Sequence, residues 1–159
     1  MIRYDRVLPV LIEGGVEFIA VGGTAANIHG SPHITYDLDV LYRRSKDNIQ
    51  RLVAALAPLH PYPRGAPAGL PFQWDEATVR AGLNFTFVTE GGDLDLLGEM
   101  AGAGKYEDVF PRSEEVSFRG NVFRVVDIDT LIQAKKAAGR RKDLDAVAEL
   151  EAIRNEREK

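Results

Sequence analysis

The sequence predicts an α/β (α+β) fold: a mixed β-sheet flanked by helices, with further helices at the C-terminus. Three features carry that prediction. A short apolar run at 16–21 ends in a glycine pair and passes into a helix-like stretch. Two later stretches, 83–100 and 116–126, read as strands around glycine turns. Both ends of the chain place apolar residues at helical spacing. With 159 residues, 45% of them hydrophobic, the chain can close one ordinary core and is short for two. One domain over 1–159 is expected, with 130–159 as its helical C-terminal segment.

The elements follow in order. Val7, Leu8, Leu11 and Ile12 share a helical face between Asp5 and Glu13, and Gly14-Gly15 stops that helix. Residues 16–21 form a strand, Gly22-Gly23 breaks it, and Thr24 can cap a helix through Ala25, Ala26 and Ile28 that Gly30-Ser31-Pro32 ends. Residues 34–42 read as the next strand, followed by a helix capped by Ser45 or Asp47 with Ile49, Leu52, Val53 and Leu56 on one face. The stretch 58–71 holds five of the eight prolines together with Gly65 and Gly69, so a loop is expected there. Residues 83–89 and 94–100 flank Glu90-Gly91-Gly92-Asp93 as a hairpin, and 116–118 with 122–126 flank Arg119-Gly120-Asn121 likewise. Asp127 or Asp129 can cap a helix from Thr130, and a last helix from about Lys142 carries Leu144, Val147, Leu150 and Ile153.

Composition narrows the function classes. The 20 basic and 24 acidic side chains leave a net charge of -4, which argues against non-specific duplex nucleic-acid binding, where a basic field supplies most of the affinity. The absence of cysteine excludes disulfides and thiolate metal sites. The apolar run 7–12 contains Pro9 and is far too short to cross a bilayer, and no signal-peptide pattern opens the sequence. A soluble, cytoplasmic protein without membrane partners is expected.

Chemistry concentrates in FIAVGGTAANIHGSPHITYDLDVLY, residues 18–42. On a strand, residues i and i+2 share a face, so Asp37 and Asp39 project together, while Leu38, Val40 and Tyr36 project to the other side, where packing is the expectation for Tyr36. Two like charges on an apolar strand are unfavourable unless a cation or solvent compensates. An isolated pair is commonly a solvated strand face, but Asp95 lies in a similar apolar setting, Leu94-Asp95-Leu96-Leu97. Three aspartates on strands suit a hard divalent cation such as Mg²⁺ that also binds substrate phosphates. Asp93 is a rival for the third place, ranked second because aspartate at a turn has a local structural role. The Gly22-Gly23 break supplies the complement: unpaired N–H groups at a helix start favour an anion. It is neither the dinucleotide fingerprint nor a Walker loop. His29, His33 and His60 lack zinc-ligand spacing and read as loop or surface residues, and Tyr62, Phe72 and Trp74 as cover for a core edge. Leu83, Phe85 and Phe87 suggest one buried strand face.

In the order of these features the sequence resembles the nucleotidyltransferase superfamily, the fold of the DNA polymerase β palm and of small antibiotic and toxin-type nucleotidyltransferases. The resemblance rests on Ile19-Ala20-Val21-Gly22-Gly23, a gap to Tyr36, Asp37-Leu38-Asp39, and Asp95 as third acid. The run LIQAKKAAGRRKDLDAV, 131–147, is similar to the Lys, Arg, Lys-Asp signature of bacterial AbiEii-like or uncharacterised nucleotidyltransferases. The resemblance implies that Asp37 and Asp39 bind Mg²⁺, or Mn²⁺, and through it a nucleoside triphosphate such as ATP. Asp95 would complete a second metal position and help deprotonate the attacking hydroxyl. Gly22, Gly23 and Thr24 would hold the triphosphate, with Lys135 and then Arg140 and Lys142 neutralising it. The alternative for these cations is solvation of a helix junction, with Asp143 paired to one of them. The implied reaction moves a nucleoside monophosphate to a hydroxyl on RNA, protein or a small molecule and releases pyrophosphate. The alternative is a non-catalytic nucleotide-binding or interaction protein, one half of a toxin and antitoxin pair. The proline-rich loop, the C-terminal helices or a second subunit, in a homodimer or with an antitoxin partner, would supply acceptor-binding surface. A metal-assisted hydrolase lacks a separate nucleophile or general acid in the sequence.

Overall fold

The computed structural model describes residues 1–159 and gathers all seven strands into one mixed sheet. The chain begins with α1 (Tyr4–Glu13), whose Val7, Leu8 and Leu11 are fully buried. Then come β1 (Phe18–Val21), α2 (Gly22–His29), β2 (Asp37–Tyr42) and α3 (Lys46–Leu56). A 3₁₀ turn, Ala57–Leu59, leads into the two-residue β3 (Tyr62–Pro63), then α4 (Glu76–Ala81) and the hairpin of β4 (Phe85–Thr89) and β5 (Gly92–Leu97). The short α5 (Tyr106–Val109) precedes a second hairpin, β6 (Ser113–Phe118) and β7 (Asn121–Val126), and α6 (Ile128–Ala138) and α7 (Arg141–Arg157) close the chain.

The strand order is β3-β4-β5-β2-β1-β7-β6, with β1 antiparallel to β2 and parallel to β7, and β2 parallel to β5. Every residue of β1 is buried, whereas the middle strand β2 alternates at its start: Asp37 and Asp39 half-buried, Leu38 and Val40 fully buried. One side of β2 therefore belongs to the core of 35 buried apolar residues, and the other carries charge. Helix α1 packs on α3, and α2 packs on α6 and α7. The second hairpin turns through Arg119 (φ 51°) and Gly120 (φ 79°), the two positive angles a tight turn needs to match strand twist.

Several expectations require correction. The strand expected over 34–42 begins only at Asp37, because the preceding residues fold back on α2: Asn27 Nδ2 donates to the carbonyls of Ser31 (3.0 Å) and His33 (2.6 Å). Tyr36 is consequently 62% exposed instead of packed. Thr24 caps nothing: α2 starts at Gly22, and the Thr24 hydroxyl lies inside the helix, fully buried, 2.9 Å from the hydroxyl of Tyr4. The proline-rich loop contains β3, paired to β4 at Tyr62↔Val88 and Pro63↔Phe87, and at this outer position a proline removes no ladder bond the sheet needs. Leu83 is an exposed residue before β4, leaving Phe87 as the buried ring of that strand. Helix α4 was not anticipated, although Asp75 caps it by accepting from the Thr78 N–H at 2.8 Å. On α7 the inward face is Asp143, Val147 and Leu150, so Leu144, one residue away from that stripe, points to solvent. Of the caps proposed for α6, Asp127 accepts from the Thr130 N–H (2.7 Å), while Asp129 pairs with Arg154 (3.0 Å). His29 is buried, 2.7 Å from the Val126 carbonyl oxygen, and not a surface residue.

Candidate active site

The site is built where β1 ends, α2 starts and β2 meets β5. The parallel register of β2 and β5 sets Asp39 opposite Asp95 and Asp37 opposite Asp93. Opposed residues on neighbouring strands share a face, so the four carboxylates form one acidic surface. Oxygen atoms of Asp37, Asp39 and Asp95 lie within 4.8 Å of one another, a grouping that can hold a metal ion. Asp93 lies within β5, not at the turn, but outside that trio.

The electrostatics of the trio ask for a cation. Burial, then the charge of Asp95 and hydrogen bonding with it, then the charge of Asp37 push the Asp39 carboxyl up to about 7, with Lys135 pulling the other way. The Asp37 carboxyl is also raised, first by partial burial and then by Asp95, and Arg64 opposes the shift. The buried Oδ1 of Asp39 has no hydrogen-bond partner. A buried carboxylate oxygen left in this state is costly, and a divalent ion that prefers oxygen ligands satisfies it. The residues present therefore fit a Mg²⁺-type ion.

The glycine pair has a steric role that its anion-binding reading did not contain. Gly22 has φ +61°, and a Cβ there would lie 1.9 Å from Asp39 Oδ2; one on Gly23 would lie 2.7 Å from Thr35 Oγ1. Only glycine at 22 lets the turn sit against the Asp39 carboxylate. No side chain caps α2, so the N–H groups of its first turn stay without helical acceptors beside the acidic face.

A cleft of about 610 Å³ runs from the acids to the junction of α6 and α7. Its lining brings together Gly23, Asp37, Asp39, Asp95, Lys135, Arg140 and Lys142. Thr24 is absent from that lining; its hydroxyl lies 2.9 Å from that of Tyr4 and donates to the Asp37 carbonyl at 3.5 Å, which leaves its backbone N–H as the group it can offer a phosphate. Gly22 lines a smaller adjoining hollow together with Asp39, Lys135 and Arg140. Asp143, 2% exposed, pairs with Arg140 (2.6 Å) and Lys135 (3.8 Å), and the Arg140 hydrogen bond draws its carboxyl below the usual carboxylate range. Phe72, tilted, and Trp74, edge-to-face, pack against Phe87 away from this lining, with centroids 5.7 and 5.4 Å from its ring.

Two sets of residues escaped sequence reasoning. Arg64, from the proline-rich segment, lies 2.7 Å from Asp95, 3.4 Å from Asp93 and 3.9 Å from Asp37. At the far end of the cleft Glu149 joins Ser31 Oγ (2.5 Å) and His33 Nε2 (2.9 Å). Neither set has a local signal, since each joins segments distant in sequence.

No protein-family model matches the sequence, and no curated protein is significantly similar to it. Solved structures are. The lincosamide antibiotic adenylyltransferase LnuA, with lincomycin bound, superposes with a TM-score of 0.62 at 12% identity, over 95% of this chain and 96% of that one. The structure of ANT(2'')-Ia with adenylyl-2''-tobramycin gives 0.58 at 12% identity, over 95% and 92%. A protein of Thermotoga maritima assigned as a nucleotidyltransferase gives 0.58 at 15% identity, over 94% of each chain. The fold is that of the nucleotidyltransferases, in agreement with the resemblance in the sequence. No helix is long and apolar enough to cross a membrane.

Proposed function

We propose that the chain is a metal-dependent nucleotidyltransferase acting as a single domain, which moves a nucleoside monophosphate from a triphosphate to an acceptor hydroxyl. The observation that carries this reading is the β2–β5 register, which sets Asp39 against Asp95 and gathers Asp37 beside them. The adenylyltransferase neighbours, one of them in complex with adenylyl-2''-tobramycin, support nucleotidyl transfer in general.

In this reading Asp37 and Asp39 hold Mg²⁺ or Mn²⁺, which when bound supplies charge neutralisation of the triphosphate and a lowered pKa for a nearby hydroxyl. Asp95 orients the acceptor hydroxyl and takes its proton as the oxygen attacks the α-phosphorus. The new O–P bond forms while the bridging bond from the α- to the β-phosphate breaks, and pyrophosphate departs with that bonding pair. Gly22 and Gly23 offer backbone N–H groups to the phosphates, as does the N–H of Thr24. Lys135, held near Asp143, neutralises the leaving side, and the more exposed Arg140 and Lys142 add field there.

The test is calorimetry of nucleoside triphosphate binding with and without Mg²⁺, beside Asp37→Ala and Asp39→Ala variants shown to be folded. Metal-dependent binding in the native chain and its loss in both variants is expected; equal affinity with and without metal would sink the reading. Incubation with each labelled triphosphate and, separately, RNA, cell protein and a metabolite extract then identifies the acceptor class. Failure to label any fraction, with binding intact, would favour a nucleotide-binding partner of another protein.

A further inference from the structure

Arg64 stands just past β3, where its N–H donates to the Thr86 carbonyl at 2.9 Å. From there its guanidinium crosses to the acidic face. Nη2 donates to Asp95 Oδ1 (2.7 Å) and to the Phe87 carbonyl (3.0 Å), Nε lies 3.4 Å from Asp93 Oδ2, and Nη1 lies 3.9 Å from Asp37 Oδ2. No ion pair joins it to Asp39, whose buried Oδ1 stays unpartnered. Three of the four carboxylates thus share one permanent, planar cation, and the fourth has none. A divalent ion of the Mg²⁺ type takes its oxygen ligands at about 2.0–2.1 Å. An ion on Asp95 Oδ1 would therefore sit against the guanidinium that already bonds this oxygen, and the two positive charges repel at close range.

We propose that Arg64 is a positioning residue that replaces one of two cations: the resting site takes a single divalent ion at Asp37 and Asp39, and a second reaches Asp95 Oδ1 only by displacing the guanidinium. The inference rests on the proposed function for the identity of the metal-binding acids. It gives the proline-rich segment a task, delivery of a fixed positive charge that holds the Asp95 carboxylate, the proposed proton acceptor, in place before substrate arrives. The pairing of β3 with β4 is what makes that delivery exact enough for a 2.7 Å contact.

The experiment counts Mn²⁺ by the loss of its free electron-paramagnetic-resonance signal, in the native chain and in Arg64→Gln and Arg64→Lys variants, with melts to establish folding. The native chain is expected to bind one ion per chain strongly. Arg64→Gln, which keeps a polar donor but loses the charge and the reach of the guanidinium to Asp95, is expected to gain a second ion, or to tighten a weak second site by about 10–100-fold, the range in which outer-shell partners act. Arg64→Lys should restore the native count. Superimposable native and Arg64→Gln isotherms with one ion each would overturn the role of Arg64 and leave the proposed function standing. No Mn²⁺ binding in any variant would overturn both. Two equivalent ions on the native chain would overturn the inference without any variant, so a poorly folded substitution does not protect it.

Discussion

The acidic trio and the basic residues of the cleft, Lys135, Arg140 and Lys142, are held in place by different means. The acids stand on paired strands, where β-register sets their spacing, and they are partly buried, with Asp95 side-chain exposure at 20%. The cations stand at a helix junction: Lys135 near the end of α6, Arg140 as the residue before α7, and Lys142 in its first turn. Arg140 is 63% exposed, and its position depends on a pairing with Asp143 rather than on a backbone ladder. The difference teaches a division of labour. A metal site requires oxygen atoms placed within a few tenths of an ångström, which a sheet provides, whereas a triphosphate responds to summed charge, which side chains at a helix junction provide.

If that comparison is right, disturbing the acid side costs more than disturbing the basic side. The largest effect is expected from Gly22→Ala, whose Cβ would meet Asp39 Oδ2 at 1.9 Å in a left-handed backbone. The conformation alone costs about 1–2 kcal/mol, and relief of the overlap has to move the carboxylate. Thermal melts should show a loss of several degrees, about 2–4 °C per kcal/mol, together with loss of metal-dependent nucleotide binding. Gly23→Ala meets only the Thr35 side chain, at 2.7 Å, and should be milder; equal effects would break the distinction between the glycines.

Next in size is a pH effect at Asp39. Its carboxyl moves from 3.8 to about 7 on folding, so the neutral form is the one folding favours. That stability is fully present below about pH 4 and is lost as pH rises through 7. Asp39→Asn should therefore melt higher than the native chain at pH 8 in chelator, with no gain at pH 4, and Mg²⁺ should raise the native melt far more than that of the variant. A variant less stable at pH 8 would show that the carboxylate is already compensated without metal.

Smaller effects belong to the basic side. Lys135→Ala should weaken triphosphate binding about tenfold, the worth of one charge-assisted contact, with less dependence on salt than the native chain. Arg140→Ala should weaken it only two- to threefold, roughly the yield of an exposed charge. Asp143→Ala separates positioning from charge, because it removes the partner of both Arg140 and Lys135 while leaving the site more positive. It should lower the melting temperature and loosen binding despite the added charge; tighter binding would mean that field alone governs this side.

Much of this was legible before the structure. The shared face of Asp37 and Asp39, the apolar strand around Asp95 and the glycine pair follow from patterns within short windows, where strand alternation and turn chemistry are local properties. Leu144 was misplaced because a helix of mixed polarity offers two plausible inner stripes, and the pairing of Asp143 with Arg140 and Lys135 decides between them. Tyr36 departs from its expected packing because strand character does not reveal where pairing starts, which here is fixed by the turn that Asn27 holds.

The sequence by itself determined the α/β character, the acidic strand, the glycine break and the basic residues near the last helices, since each depends on neighbours a few positions away. Only the tertiary structure decided that Asp95 faces Asp39, that Gly22 is needed to make room for that carboxylate, that the Thr24 hydroxyl meets Tyr4 and the Asp37 carbonyl, and that Arg64 enters the acidic face. Those facts depend on strand order and register, which bring residues together from distant parts of the chain, and no local pattern records which strands will pair.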